Sequence, residues 1–162
     1  SVPTKWDISM ARNIPTEIVL NGGSGSLDFN LKDIALTSLR ADLGSGASDF
    51  TLPALKDSYE VEIDSGSGSV HVVIPDGASL SFSLSSGSGA VNVTLPVNAA
   101  LQVEVFDEGS GSLNLPSGLE RVSAAGSGNS LGVWQTKNFD TATAKIFVKI
   151  LSQGSGSINI HE

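Results

Sequence analysis

Val61-Glu62-Ile63-Asp64-Ser65-Gly66-Ser67-Gly68-Ser69-Val70-His71-Val72-Val73-Ile74-Pro75-Asp76-Gly77 is the stretch that decides how this chain folds. Apolar and polar residues alternate on both sides of Gly66-Ser67-Gly68. Strict period-two alternation is the pattern of strands with one face in a core and the other in water. Glycine tolerates positive φ and close backbone approach, so the tripeptide reads as a sharp corner between two strands. Pro75 closes the second strand, where a missing N–H is tolerated, and Asp76-Gly77-Ala78 turns the chain into the next unit.

The unit recurs. Gly-Ser-Gly begins at Gly23, Gly44, Gly66, Gly87, Gly109, Gly126 and Gly154, and fourteen of the 18 glycines lie in these tripeptides. The first four intervals are 21, 22, 21 and 22 residues, and the last two are 17 and 28. Upstream runs include Phe82-Ser83-Leu84 and Val103-Glu104-Val105; downstream runs include Val91-Asn92-Val93, Leu113-Asn114-Leu115 and Ile158-Asn159-Ile160. Pro53, Pro75, Pro96 and Pro116 follow the downstream runs. A fixed full-unit period of this size marks a stacked repeat architecture. Two strands and two turns per unit make one coil of an all-β solenoid (β-helix) of about seven coils, whose strands pair with their equivalents above and below at roughly 4.8 Å. A sandwich of hairpins also spaces its turns closely, but the near-constant full period favours the solenoid.

Stacking predicts interior ladders. Leu20, Ile63, Leu84 and Leu151 each fall three residues before a Gly-Ser-Gly, and Phe29, Phe50, Val72, Val93, Leu115 and Ile160 form a second, downstream set. Between them run two polar columns. Asp28, Asp49, His71, Asn92, Asn114 and Asn159 point outward and read as a solvated side-chain ladder, and Asn21, Asp42, Asp64, Ser85, Asp107 and Ser152 suit turn caps. We expect one domain over 1–162, with an N-terminal capping strand at 1–16, regular repeats at 17–125 and irregular C-terminal coils with an insertion at 126–162. Trp6, Ile8 and Met10 alternate in the capping segment, and solenoids need such caps because an open end exposes unpaired backbone. Ser157-Ile158-Asn159-Ile160 then stands as the last, open strand. The insertion around Trp134 is the expected cover for it.

Composition bounds the function classes. The chain has 162 residues, 40% apolar, with no cysteine and a net charge of −8. That is long enough for a continuous core without disulfide or metal staples. Zero cysteines remove thiol catalysis and thiolate metal sites. No Lys or Arg lies between Lys56 and Arg121, while Asp57, Glu60, Glu62, Asp64, Asp76, Glu104, Asp107, Glu108 and Glu120 do. Such a surface repels nucleic acid and anionic polymers, because phosphate binding rests on Lys and Arg. The first residue is not Met, so we expect that an export signal, an anchor or a neighbouring domain has been removed ahead of Ser1.

Three motifs invite chemistry. Gly128-Asn129-Ser130-Leu131-Gly132 matches G-x-S-x-G, with Asp140 and His161 following in hydrolase order. That chemistry needs a strand-to-helix elbow and an oxyanion hole, which an all-β repeat does not provide, so no catalytic residue is expected. Gly22 to Phe29 resembles a calcium β-roll repeat, but its aspartate stands one place late and the column turns to asparagine. The two His have no partner at metal-ligand spacing, so neither metal nor cofactor is expected. The insertion holding Trp134, Lys137, Asn138 and Phe139 is the candidate binding surface, because inserted loops of repeat proteins often carry binding. An exposed pair of Trp134 and Phe139 would suit a glycan or small ligand. Burial of both would make the insertion a plug.

Trp6-Asp7-Ile8, the run from Leu20 to Leu31 and above all Leu36-Thr37-Ser38-Leu39-Arg40-Ala41-Asp42-Leu43-Gly44-Ser45-Gly46-Ala47 resemble the toast-rack domains. These are the LiaF/LiaG-type envelope-stress domains of bacteria and related adhesin-type proteins. The resemblance covers about residues 6–115. It implies a single-stranded right-handed β-solenoid, placed in the cell envelope, extracytoplasmic or membrane-associated. It also implies a non-enzymatic role, in contacts with other envelope proteins or in self-association through the solenoid ends. No catalytic residues come with the family.

Overall fold

The alternation becomes strands along almost the whole chain. The computed structural model describes residues 5–123 and 130–162, and every regular element among them is a strand. In chain order these are β1 (Thr16–Asn21), β2 (Leu27–Asn30), β3 (Leu36–Leu43), β4 (Ala47–Thr51), β5 (Tyr59–Ser65), β6 (Ser69–Val73) and β7 (Leu80–Ser86). There follow β8 (Ala90–Thr94), β9 (Leu101–Val105), β10 (Ser112–Asn114), β11 (Glu120–Ser123), β12 (Gly132–Gln135), β13 (Ile146–Gln153) and β14 (Ser157–His161). Among the described residues no helix is long and apolar enough to cross a membrane.

Strands upstream of the corners gather in one sheet and strands downstream in another. The long sheet has the order β1-β3-β5-β7-β13-β9-β12-β11, and the short sheet β2-β4-β6-β8-β14-β10. Successive units pair in parallel, as β3 does with β5 and β4 with β6. The two strands of one unit therefore lie in different sheets, which excludes the sandwich of hairpins.

The corners stack in one file. Gly66 N donates to Leu43 O at 2.8 Å, Gly87 N to Ser65 O at 2.7 Å and Gly154 N to Ser86 O at 2.7 Å. A Cβ on Gly46, Gly68, Gly89 or Gly156 would run into the carbonyl oxygen of the equivalent glycine in the coil beneath. Close backbone stacking, more than turn conformation, is why these positions are glycine. The corner at Gly126 lies outside the described residues.

Inside, three ladders of the long sheet fill the core. One runs Ile18, Leu39, Val61, Phe82, Val148, Val103 and Trp134, with each rung paired to the next. Phe82, Leu84, Val91, Val93 and Val103 are fully buried. Each such side chain contributes about 1.5–3 kcal/mol by leaving water. In the short sheet Phe29 stacks on Phe50, with ring centroids 5.5 Å apart, and Val72, Val93 and Ile160 continue that ladder.

Four expectations need correction. The C-terminal unit does not end the stack: β13 sits between β7 and β9, and β14 between β8 and β10. Residues 146–161 thus form a regular coil inside the pile, and the Ser157–Ile160 strand is paired on both sides and needs no cover. Leu151 is not an interior rung. The register shifts between Ile150 and Ser152, so Ile150 pairs with Leu84 in the core and Leu151 turns out, 42% exposed. An extra residue in a strand has this effect on the side chain it carries. In place of a further parallel coil, β11 and β12 form an antiparallel hairpin laid on β9. Finally, residues 5–15 form no strand, and Trp6 and Ile8 stand in solvent at 82% and 76% exposure. Three alternating apolar residues supply no pairing of their own, and Pro15, without an N–H, interrupts the approach to β1.

Candidate functional site

The outward polar column lies on the short sheet, one residue per strand. In space its order is Asp28, Asp49, His71, Asn92, Asn159, Asn114, since β14 enters between β8 and β10. The asparagines join by their amides. Asn159 Nδ2 donates to Asn92 Oδ1 at 3.1 Å, and Asn114 Nδ2 donates to Asn159 Oδ1 at 2.7 Å. His71 Nε2 lies 3.1 Å from Thr94 Oγ1, and its Nδ1 lies 3.6 Å from Asp49 Oδ1. The carboxylates of Asp28 and Asp49 stand on adjacent strands, and among the described residues no cluster of His, Asp or Glu is disposed to hold a metal. Chemically this is a flat strip of amide and imidazole groups.

The insertion does not present its aromatic residues together. Phe139 is 5% exposed and meets Phe147 edge to face at 5.0 Å, with Lys145 Nζ 5.2 Å from its ring centre. Trp134 belongs to β12, where it pairs with Val103 and forms the last rung of a core ladder. The Arg121 guanidinium lies over its ring at 5.4 Å. Gly132 makes room for this arrangement, because a Cβ there would press on the Trp134 ring and on Arg121. Asn138 Nδ2 donates to Asn98 O at 3.0 Å, which ties the insertion to a turn of the stack, and Lys137 reaches Glu120 at 3.5 Å in solvent.

The serine motif is dispersed. Gly128 and Asn129 lie outside the described residues. Ser130 is buried and donates to Gly132 O at 3.3 Å. Asp140 accepts from Gln135 Nε2 at 3.3 Å, and the His161 ring contacts Glu162 O at 3.2 Å. These three side chains do not converge on one another.

Alternation alone did not reveal the end of the pile beyond β9 and β10. There the long sheet continues through β12 and β11, while the short sheet stops at β10. A cleft of about 400 Å³ opens under the overhang, lined by Val105, Glu108, Gly111, Leu113, Leu115, Trp134 and Gln153, among others. Gln153 is 1% exposed, and among the described residues its Oε1, like Ser65 Oγ and Ser86 Oγ in the equivalent places, has no hydrogen-bond partner; its Nε2 is 3.5 Å from Gly156 O. Buried polar groups are usually paired, so an unpartnered acceptor in a cleft wall is informative. One signal could have found it. The residue before each described corner is Gly22, Leu43, Ser65, Ser86, Glu108 or Gln153, and the two long polar ones line this cleft.

No curated protein matches the sequence. Among solved structures, a putative cell adhesion protein from Clostridium sporogenes ATCC 15579 has the same fold. The TM-score is 0.66 over 91% of this chain and 92% of that one, at 17% identity. Residues 2–73 match the family model for the N-terminal domain of toast_rack, DUF2154. Residues 2–73 thus match the toast-rack N-terminal domain family, and over nearly its whole length the chain shares the fold of that solved structure.

Proposed function

We propose that this chain is a non-enzymatic module of the bacterial cell envelope or surface that works by contact with other proteins, in adhesion or in the response to envelope stress. The observation that carries this reading is the shape of the stack: two regular sheets with mostly polar outer side chains, the shorter of them left open at β10. Such a body offers area and edges in place of a reaction chamber. The structural neighbour's description as a putative cell adhesion protein supports the same reading, as does the dispersal of Ser130, Asp140 and His161. In this reading the solenoid winds to the right and its coils present successive rungs to a partner. A glycan or small ligand on the insertion fits less well, because Phe139 is buried and Trp134 has its ring against Arg121.

Binding of the labelled chain to intact bacterial cells tests the proposal. Saturable binding that protease shaving abolishes and periodate oxidation of glycans leaves intact is the expected result. Binding that survives the protease and is lost to periodate would reject it in favour of the glycan reading.

A further inference from the structure

The end of the pile is a half-built coil. Beyond β9 the long sheet carries β12, whose Trp134 points inward as a core residue does, yet among the described residues the short sheet has no strand opposite it. Ser112 N donates to Gly156 O at 3.1 Å. Backbone direction alternates along a strand, so the N–H and C=O of Leu113 point away from β14, toward the vacant side. Leu113, Leu115 and Trp134 supply apolar walls, and Gln153 Oε1 and the exposed Glu108 carboxylate supply acceptors at the corner end.

We propose that an extended segment of a partner protein adds to the short sheet as a strand along β10 and completes this coil. Main-chain hydrogen bonds to an open sheet edge supply affinity, and alternate side chains supply specificity. The segment that fits has apolar residues at alternate positions, to meet Leu113, Leu115 and Trp134. It has amides or hydroxyls between them, to extend the asparagine column past Asn114. It carries Lys or Arg at its ends, because residues 57–120 of the sequence hold nine carboxylates and no Lys or Arg. A second copy fits poorly, since its β1 would have to occupy the place on β9 that β12 already fills. This inference rests on the reading of the chain as a protein-contact module and names the site and the partner's chemistry.

The probe is acetyl-Lys-Val-Asn-Val-Asn-Val-Lys-amide. It is titrated into the chain carrying Trp6→Phe, so that Trp134 is the single tryptophan and is excited alone at the red edge of its absorption, where Tyr59 is silent. Saturable binding below about 1 mM is expected. A peptide of the same sequence, N-methylated on the residues facing β10, should bind at least about tenfold more weakly for want of its donors. Leu113→Pro should abolish binding, and the N-methyl peptide carries the same test should that variant unfold. Glu108→Gln should weaken the Lys-ended peptide about threefold or more and leave a Gln-ended one unchanged. No saturation by 1 mM, or equal binding of the N-methylated peptide, would overturn strand addition. A dimer that forms without peptide and dissociates in Leu115→Lys would show that the occupant is a second copy and overturn the partner assigned here. Protease-sensitive binding to cells that persists while the peptide fails would remove this site and leave the surface role standing.

Discussion

A single methyl group distinguishes glycines that look identical in the repeat. Gly25 and Gly46 hold the same place in successive corners, but a Cβ on Gly46 would strike Gly25 O, while one on Gly25 meets nothing within 4 Å. The obstacle is backbone, which cannot rotate aside. Gly46→Ala should therefore lose about 2 kcal/mol or more of stability, and Gly25→Ala should stay within about 0.5 kcal/mol of the parent, as read by urea unfolding. Tyr59 makes a second residue-scale argument. Its ring is 1% exposed, and its hydroxyl donates to Pro53 O at 2.7 Å. Burial pushes its phenol pKa well above the ordinary value. Tyr59→Phe leaves the buried Pro53 carbonyl without a donor, at a cost of about 1–3 kcal/mol. With the folded pKa raised, the neutral phenol's contribution is complete below pH of about 10. It is lost as pH rises beyond that, because the unfolded chain ionises first. Stability measured between pH 9 and 11 should fall in the parent more steeply than in Tyr59→Phe.

Among the elements, β13 and β14 have the greatest leverage. Each pairs with a strand of an earlier unit on either side, so together they bind the β7/β8 coil to the β9/β10 coil. A chain ending at residue 145 should keep slow amide exchange in β3 to β6 and lose it in β9 and β10, which would have no parallel neighbour left. Mass-spectrometric hydrogen exchange reads this directly. The insertion also marks where sequence reading stops. Alternation around each corner identified strands, their inward faces and the asparagine column, because those depend only on period two. Spatial order depends on which edges meet, and Val91-Asn92-Val93, Ile158-Asn159-Ile160 and Leu113-Asn114-Leu115 present almost the same edge to a neighbour. The intervals of 17 and 28 residues were the visible trace of the reordering. One extra residue at Leu151 is invisible to a count of spacing from the corner, so that count puts Leu151 inside where Ile150 stands. The cleft followed the same rule. Gln153 and Glu108 come together only because β14 lies beside β10, and no local pattern joins residues so far apart.

At the scale of the whole molecule, the two ends are unequal. Among the described residues β1 and β2 are both open edges at the first coil, whereas at the other end β12 closes β9 and leaves β10 free. The hairpin thereby prevents coil-on-coil stacking of copies, which would be head to tail and unlimited. Glu120 pairs with Gln135, so residues 120–135 can be replaced by an Asn-Gly turn without stretching the chain. That variant should form assemblies that lengthen with concentration in light scattering, with Leu113 and Asn114 meeting Leu27 and Asp28 of the next copy, while the parent stays short. The mid-pile position of β13 and β14 has a further consequence, for the making of the protein. A ribosome delivers the strands in chain order, and the first four coils can settle on one another as they emerge. The fifth to be made, β9 with β10, finds its seat only when residues 146–161 arrive, and until then the β12 hairpin is its established neighbour. A message cut short, or a chain stalled before that point, would leave a frayed and protease-sensitive tail. The stack thus closes only once residues 146–161 have been made, long after the coils on either side of their seat.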